Sequence, residues 1–409
     1  MRVAWFLMML IWASSGLYAG NGPLGVDPET EPDWGFFGHR RINRLAVFTL
    51  PPDMMPLFKR QLPYIEEHAV DPDKRRYASK FEAIRHYIDA DHWDKYPFPN
   101  IPRKFEDALI KFGKYQAITD RGDTLDLGMV LTEKELKLNL RSDTFLGVSY
   151  WKFARFFKKV VYPQYYEDEW VVPLDSLNAY FEDVTFPKRM IKLKVVDKFS
   201  EYGILPYYLE LGLARLTRAF AKKSEKEILR HAADLGHYVG DAHVPLHTTE
   251  NYNGQLTNQV GIHAFWESRI PELFADKQYD FYVGKAKYIS DPNAYFWDII
   301  LKSHSHLDSV LAIEKRLSQT FPADKQWCYE DRLNQNVRIQ CTEYTAAYHE
   351  ALRGMVEERM AASISAIGDV WYTAWVDAGQ PDLRTLTDQE IIPEEIKKDD
   401  RIKTREHEN

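Results

Sequence analysis

Cysteine is nearly absent from this chain: Cys328 and Cys341 are the only two in 409 residues. Neither stands near a histidine or a further cysteine, so a zinc site built from these two is not expected. In an exported protein such a pair most simply closes one short disulfide loop, and the alternative is two free thiols. Basic charge is also short, with Lys and Arg at 53 against 61 Asp and Glu, a net charge of -8. That argues against a general nucleic-acid binder, whose footprint is basic. A nuclease whose metal ions supply the positive charge locally stays open. Several motifs are missing as well. There is no G-x-S-x-G elbow and no Gly-rich phosphate loop. There is no His-Asp dipeptide of the HD phosphohydrolase type and no Glu-x-x-His pair of the di-iron type. Strand-like alternation is scarce, and no internal repeat is evident.

No stretch beyond the N-terminus is long and apolar enough for a membrane span. The N-terminus itself reads as an export signal over residues 1–19. Arg2 precedes an apolar run from Val3 to Ala13, and Leu17-Tyr18-Ala19 resembles a small-residue cleavage site. A secreted or periplasmic protein is the expectation, without lipid attachment, since no cysteine lies near that site. Residues 20–33 hold three prolines and three glycines and read as a flexible leader. Residues 381–409 turn polar and charged and read as a disordered tail.

Apolar residues, at 45%, are plentiful enough for a real core over 34–380. Helical spacing recurs through that domain. Ile42, Leu45, Ala46 and Leu50 mark a first helix stopped by Pro51-Pro52, and a second is expected from Met54 to His68. The next residues, D-P-D-K-R-R, read as a loop. Further helices are expected over Lys104–Tyr115, from Thr132 in T-E-K-E-L-K-L, and over Tyr207–Leu216. Ser224 and Glu227 form a capping box for a helix that runs through Asp241 to the Pro245 break. His263–Leu273, Ala294–Leu317 and Thr342–Ala378 complete the set, and the class is all-α. Tyr150 to Val172 is crowded with aromatics and lacks catalytic spacing. It reads as part of an inserted elaboration, about 105–195, covering one side of the core.

The chemistry concentrates in L-G-H-Y-V-G-D-A-H-V-P-L-H, residues 235–247, which holds His237, Asp241, His243 and His247. His237 and Asp241 are four apart and share a helix face. His263 and Glu267 repeat the spacing. With His39, His86 and Asp71 there are more ligands than one zinc can use. Ligation by His, Asp and Glu without cysteine suits a catalytic zinc. Two or three such ions close together suit phosphoryl chemistry.

Those residues fall in blocks: W-G-F-F-G-H (34–39), Asp71 with His86, H-Y-V-G-D-A-H-V-P-L-H (237–247) and H-A-F-W-E (263–267). In content and order they resemble the zinc-dependent phospholipases C and S1/P1-type nucleases. The resemblance implies an exported, multi-helix zinc-dependent phosphodiesterase fold with up to three zinc ions. One ion would be held by Asp71, His86, His237 and Asp241, and a second by His247, His263 and Glu267. The third would use His39, Asp241 as a bridge, and the amine and carbonyl of Trp34 as mature N-terminus. Asp71 and Asp241 are the catalytic candidates among them. His243 matches no ligand position and is expected to pack or hydrogen-bond behind the ligands. The remaining histidines, from His68 to His407, read as structural.

This chain departs from the pattern at three points. Trp34 is not beside the signal cleavage point, so its amine is free only if the leader to Asp33 is also removed. Glu267 matches the bacterial phospholipases, whereas the nucleases usually carry Asp there. Against that, the short step from Trp34 to His39 looks like the nuclease side. The third departure is the stretch between His86 and His237, which is long for the family and consistent with the insertion at about 105–195. The implied substrate is a phosphodiester, with a phospholipid head group ahead of single-stranded nucleic acid or a 3'-nucleotide. Peripheral membrane contact is compatible with that, while no stable nucleic-acid complex and no partner protein are expected. A zinc-binding relative without turnover is the non-enzymatic alternative.

Overall fold

Prolines set the breaks in the N-terminal helices. Helix α1 (Phe37–Ala46) tightens into a turn at Val47–Thr49 and stops where Leu50 turns extended ahead of Pro51. The stretch expected as one helix from Met54 to His68 is two, α2 (Met55–Arg60) and α3 (Leu62–Glu67), with Pro63 in the first turn of the second. Proline has no N–H to return to the preceding turn, so the helix restarts there. D-P-D-K-R-R is not a loop but a short helix, α4 (Asp71–Arg75), again with a proline, Pro72, at its start. Two further short helices follow, α5 (Lys80–Ala83) and α6 (Ala90–Trp93). The computed structural model describes residues 36–386 apart from 77, 141–142, 162–168, 183, 333–334 and 385. The expected signal sequence, the leader, Trp34 and the tail from 387 onward lie outside the described residues.

The all-α expectation fails chiefly in one segment, which lies where the elaboration was placed, and again in a hairpin near the C-terminal helices. After α7 (Phe105–Phe112) come β1 (Lys114–Thr119), β2 (Thr124–Asp126), β3 (Gly128–Leu131), β4 (Glu135–Leu140) and β5 (Asp143–Ser149). Then follow α8 (Tyr150–Phe156), β6 (Glu169–Pro173), α9 (Leu174–Tyr180) and β7 (Met190–Val196). The strands form two antiparallel sheets, in the orders β2-β1-β7-β6 and β3-β4-β5. T-E-K-E-L-K-L is therefore not a helix. The Thr132 hydroxyl accepts from the Glu135 N–H at 3.0 Å, making a turn rather than a cap. Beyond it Leu136 and Leu138 alternate inward and are fully buried. A period of two places both leucines on one sheet face, which a helix would not do. The class is mainly helical with small antiparallel sheets.

The body of the molecule is α10 (Leu205–Lys222), α11 (Glu225–Ala242), α12 (Ile262–Ala264), α13 (Ile270–Gln278), α14 (Pro292–Ser305) and α15 (Leu307–Thr320). It closes with the hairpin β8 (Trp327–Arg332) and β9 (Gln335–Gln340), then α16 (Thr342–Ala351) and α17 (Met355–Asp377). Two expected long helices are each divided. One breaks at His306, and the other at Arg353 and Gly354, whose φ values of 51° and 79° are left-handed. Cys328 and Cys341 form a disulfide that ties β8 to the residue capping α16.

Helix α11 starts on the expected cap, the Ser224 hydroxyl accepting from the Glu227 N–H, and packs against α1, α10 and α17. Trp371 of α17 donates its indole N–H to the Ala232 carbonyl at 3.0 Å, and Asn43 of α1 donates to the Ala233 carbonyl at 3.0 Å. Two glycines let α1 come this close. A Cβ on Gly236 would stand 2.1 Å from Asn43 Oδ1, and one on Gly240 would stand 2.8 Å from Ile42 Cδ1. They lie one turn apart, and the contact brings His39 of α1 over Asp241. Among the described residues no helix is long and apolar enough to cross a membrane.

Gly236→Ala should therefore destabilise the fold by about 1–3 kcal/mol, as overpacking a well-filled core does. Gly284→Ala, whose added carbon meets nothing within 4 Å, should stay within about 0.5 kcal/mol of the parent. Urea unfolding of both variants measures the difference.

Candidate metal centre

Five pieces of backbone converge on one point. His39 comes from α1 and Asp73 from α4, while His86 sits in the turn after α5. His237 and Asp241 lie one turn apart near the end of α11. Beyond the helix end, Pro245 opens a tight turn (Pro245–Thr248) that carries His247. His263 stands on α12, and Glu267 lies in a wide i→i+5 turn, Phe265–Arg269, between α12 and α13. Such wide turns recur at functional sites because they re-aim one side chain without ending the helix.

Asp241 sits in the middle. Its Oδ2 is 2.9 Å from His86 Nδ1 and 3.4 Å from His237 Nε2. Its Oδ1 is 3.3 Å from His39 Nε2 and 3.8 Å from His247 Nε2. Glu267 mirrors it, with Oε1 3.3 Å from His39 Nε2, and Oε2 2.7 Å from His263 Nε2 and 3.4 Å from His247 Nε2. Asp73 Oδ1 stands 3.7 Å from His237 Nε2 and 3.8 Å from His86 Nδ1. Four overlapping groups result, each with its donor atoms within 4.8 Å of one another. They are His86 with His237 and Asp241; His247 with His263 and Glu267; His39 with Asp241 and Glu267; and His39 with Asp73 and His237.

Two backbone carbonyls fix the imidazoles. His237 Nδ1 lies 2.9 Å from the Ala69 carbonyl and His263 Nδ1 lies 3.1 Å from that of Tyr252. A carbonyl only accepts, so Nδ1 carries the proton in both rings. Burial, followed by the charges of His39 and His86, holds the His237 pKa well below its ordinary value. The ring is therefore neutral, and its Nε2 lone pair faces the oxygens of Asp241 and Asp73. Burial, then Arg76, lowers His86 likewise, and its Nε2 is buried without a hydrogen-bond partner.

The carboxylates are as crowded. Burial pushes the Asp241 pKa well up, and the charges of Asp73 and Glu267 add to the shift. Burial also works against charge on Glu267, but hydrogen bonds with His247, His263 and His39 hold its carboxyl well below the usual range. His39 is disfavoured as a cation by burial, yet its hydrogen bond to Glu267 and the charges of Glu267 and Asp73 raise its pKa. His247 is lowered by burial despite Glu267. At His237, whose Nε2 lone pair stands 3.4 Å from Asp241 and 3.7 Å from Asp73, acceptor thus faces acceptor in a dry pocket, an arrangement that a cation satisfies.

Part of the donor spacing is that of ligands sharing one tetrahedral ion. Two ligands about 2.0–2.2 Å from one tetrahedral ion stand roughly 3.3–3.6 Å apart. The His237–Asp241, His39–Asp241, His39–Glu267 and His247–Glu267 pairs measure 3.4, 3.3, 3.3 and 3.4 Å. His263–Glu267 and His86–Asp241 are shorter at 2.7 and 2.9 Å, and the Asp73 and His247–Asp241 pairs longer at 3.7–3.8 Å. Imidazole and carboxylate without thiolate is also a ligand set that zinc accepts.

Seven of the expected ligands meet here: His39, His86, His237, Asp241, His247, His263 and Glu267. Trp34 lies outside the described residues. Asp71 does not join them. Its Oδ2 bonds His68 Nδ1 at 2.5 Å and its Oδ1 stands 3.5 Å from Lys74. Burial opposes its charge, but His68, Lys74 and Arg75 keep its pKa low. Asp73 occupies the expected place, a correction with a simple cause. Residues two apart on a helix point to nearly opposite sides, so α4 can send only one of the two inward, and nothing in D-P-D says which. His243 keeps the role expected of it. Its Nδ1 bonds the Val239 carbonyl at 2.7 Å, and burial, with Arg359 adding, pushes its pKa down to about 3.

Set beside known proteins, the chain matches no family model, and no curated protein is similar to it. The centre rests on its own geometry.

Metal analysis of purified variants separates the two aspartates. Asp73→Asn should lower zinc per chain, while Asp71→Asn should leave it at the parental value. Equal loss in both would return Asp71 to the centre. Chelation should also lower the unfolding midpoint. Removing ligand from about a thousandfold excess over its Kd forfeits ~4 kcal/mol, roughly 5 °C for a domain of this size. An unchanged midpoint on dialysis against chelator would mean that no metal is held in the fold.

Proposed function

We propose that the protein is an exported zinc-dependent phosphodiesterase, with phospholipase C-type cleavage of a lipid head group as the leading activity. The observation that carries the reading is that Asp241 and Glu267 are each shared between neighbouring donor groups. Shared carboxylates suit ions close enough to act on one phosphate. His39, His86, Asp73, His237, Asp241, His247, His263 and Glu267 would hold them. Zinc bound there supplies Lewis acidity toward phosphate oxygens and lowers the pKa of water to near neutrality.

The chain's own residues prepare for that chemistry in three ways. The Ala69 and Tyr252 carbonyls hold His237 and His263 with Nε2 turned inward. Asp241 spans the first and third groups with different oxygens. Asp73 and Glu267 are the least buried of the set, their side chains 19% and 16% exposed. They mark the side from which a phosphodiester can approach.

Glu267 and the net charge of -8 favour the lipid, as argued from the sequence. The short step to His39 favours single-strand nuclease or 3'-nucleotidase action, which is the second reading. Incubating the zinc-loaded protein with phosphatidylcholine and, separately, with single-stranded DNA discriminates them. Release of phosphocholine is expected. Cleavage of DNA alone would shift the reading to the nuclease, and turnover of neither with zinc bound would leave a binding protein. Asp241→Asn should reduce activity by at least about a thousandfold, in keeping with loss of a preorganised electrostatic element, and lower zinc content with it. Full activity in that variant would remove Asp241 from its bridging role.

A further inference from the structure

Helix α8 and the turn that extends it, Phe157–Val161, contain a run from Trp151 to Val161 with four cations and no acid. The cations are Lys152, Arg155, Lys158 and Lys159. One side of this segment is core. Phe153, Phe156, Phe157 and Val161 are fully buried, with Phe153 5.9 Å from the Tyr115 ring and Phe157 5.9 Å from Trp170. The other side carries all four cations, each exposed, and Trp151, which is 74% exposed.

Among the described residues little neutralises that face. Glu106 Oε1 lies 3.4 Å from Lys158, and Lys152 lies 5.6 Å from the centre of the Phe181 ring. Arg155 and Lys159 have no carboxylate partner among the described residues. The concentration is local, because the whole chain carries a net charge of -8. Exposed lysines alone would be an ordinary solvated face. An indole left open beside them is not, since it forgoes the apolar contact that most indoles find.

We propose that this face of α8 docks on an anionic phospholipid surface. Tryptophan settles at the level of lipid head groups, apolar body inward and N–H toward water. Lysine and arginine lay their stems along the same boundary and direct their charges to phosphates. A single-stranded nucleic acid would instead call for a groove and a succession of stacking rings. Among the described residues of Trp151–Val161 one ring, that of Trp151, stands exposed. The proposal goes beyond the phosphodiesterase reading, because vesicle binding needs no turnover and either can fail alone.

Co-sedimentation of the full zinc-loaded chain with vesicles tests it. Vesicles of phosphatidylcholine with phosphatidylglycerol should bind the protein, and vesicles of phosphatidylcholine alone should bind it far less. High salt should release it. Each cation removed should weaken partitioning about fivefold. The combined Lys152→Gln, Arg155→Gln, Lys158→Gln and Lys159→Gln variant should lose on the order of a hundredfold or more. Trp151→Ala should weaken binding several-fold without altering zinc content or the unfolding midpoint, because the side chain is mostly in solvent. No binding to the anionic vesicles would overturn the proposal, as would equal binding by parent and variants. Binding of a single-stranded oligonucleotide in place of vesicles would also overturn it and make the face a nucleic-acid surface.

Discussion

The structure depends on a carboxylate placed where a carboxylate should not be. Asp241 is almost wholly buried, and its neighbours include the carboxylates of Asp73 and Glu267. Among the described residues no lysine or arginine pairs with Asp241 or Glu267; their partners are imidazoles. Burying an unpaired carboxylate costs several kcal/mol, and three together repel one another as well. Protonating Asp241, the direction in which burial and its neighbours push it, would relieve part of that and forfeit its use as a ligand. Cations relieve all of it.

The scaffold accepts this load because α11 is held rigidly on several sides. Gly236 and Gly240 admit α1 to close contact, Asn43 and Trp371 tie α1 and α17 to consecutive carbonyls of α11, and Ser224 fixes the helix start. His237 and Asp241 therefore project from a part of the backbone that cannot easily shift. The other donors come from short or irregular pieces, such as the turn at Pro245–Thr248 and the wide turn at Phe265–Arg269. Rigidity is concentrated where ligands are shared, and irregular backbone is used where a side chain must be turned inward.

That division explains what was legible in the sequence. The pairs at helical spacing, His237 with Asp241 and His263 with Glu267, could be read directly, because a regular helix makes separation in sequence a statement about direction. The choice between Asp71 and Asp73 could not be read, because both lie in the first turn of a five-residue helix whose orientation is set by packing. The strands from Lys114 to Val196 were missed for a related reason. They are short, and T-E-K-E offers the same letters to a helix cap and to a turn before E-L-K-L-N-L. Burial of Leu136 and Leu138 on one sheet face decided between them. The long helices read as Ala294–Leu317 and Thr342–Ala378 kept their apolar spacing through breaks at His306 and Gly354, so periodicity alone could not reveal the interruptions.

The orienting groups behind the ligands bear on how folding and metal binding are linked. His237 and His263 present Nε2 inward because the Ala69 and Tyr252 carbonyls accept the protons of their Nδ1 atoms. Those carbonyls belong to the turn before α4 and to the loop between His247 and α12. Both segments also anchor donors of the centre, Asp73 in one case and His247 with His263 in the other. Placing the two carbonyls therefore places those donors, so the donors become competent together rather than one at a time. Forming the centre before the loops close would leave the imidazoles free to turn, while closing the loops without cations would trap acceptors against acceptors. Metal held there would be linked to folding through the same loops, with Asp241 as the group through which the two are coupled.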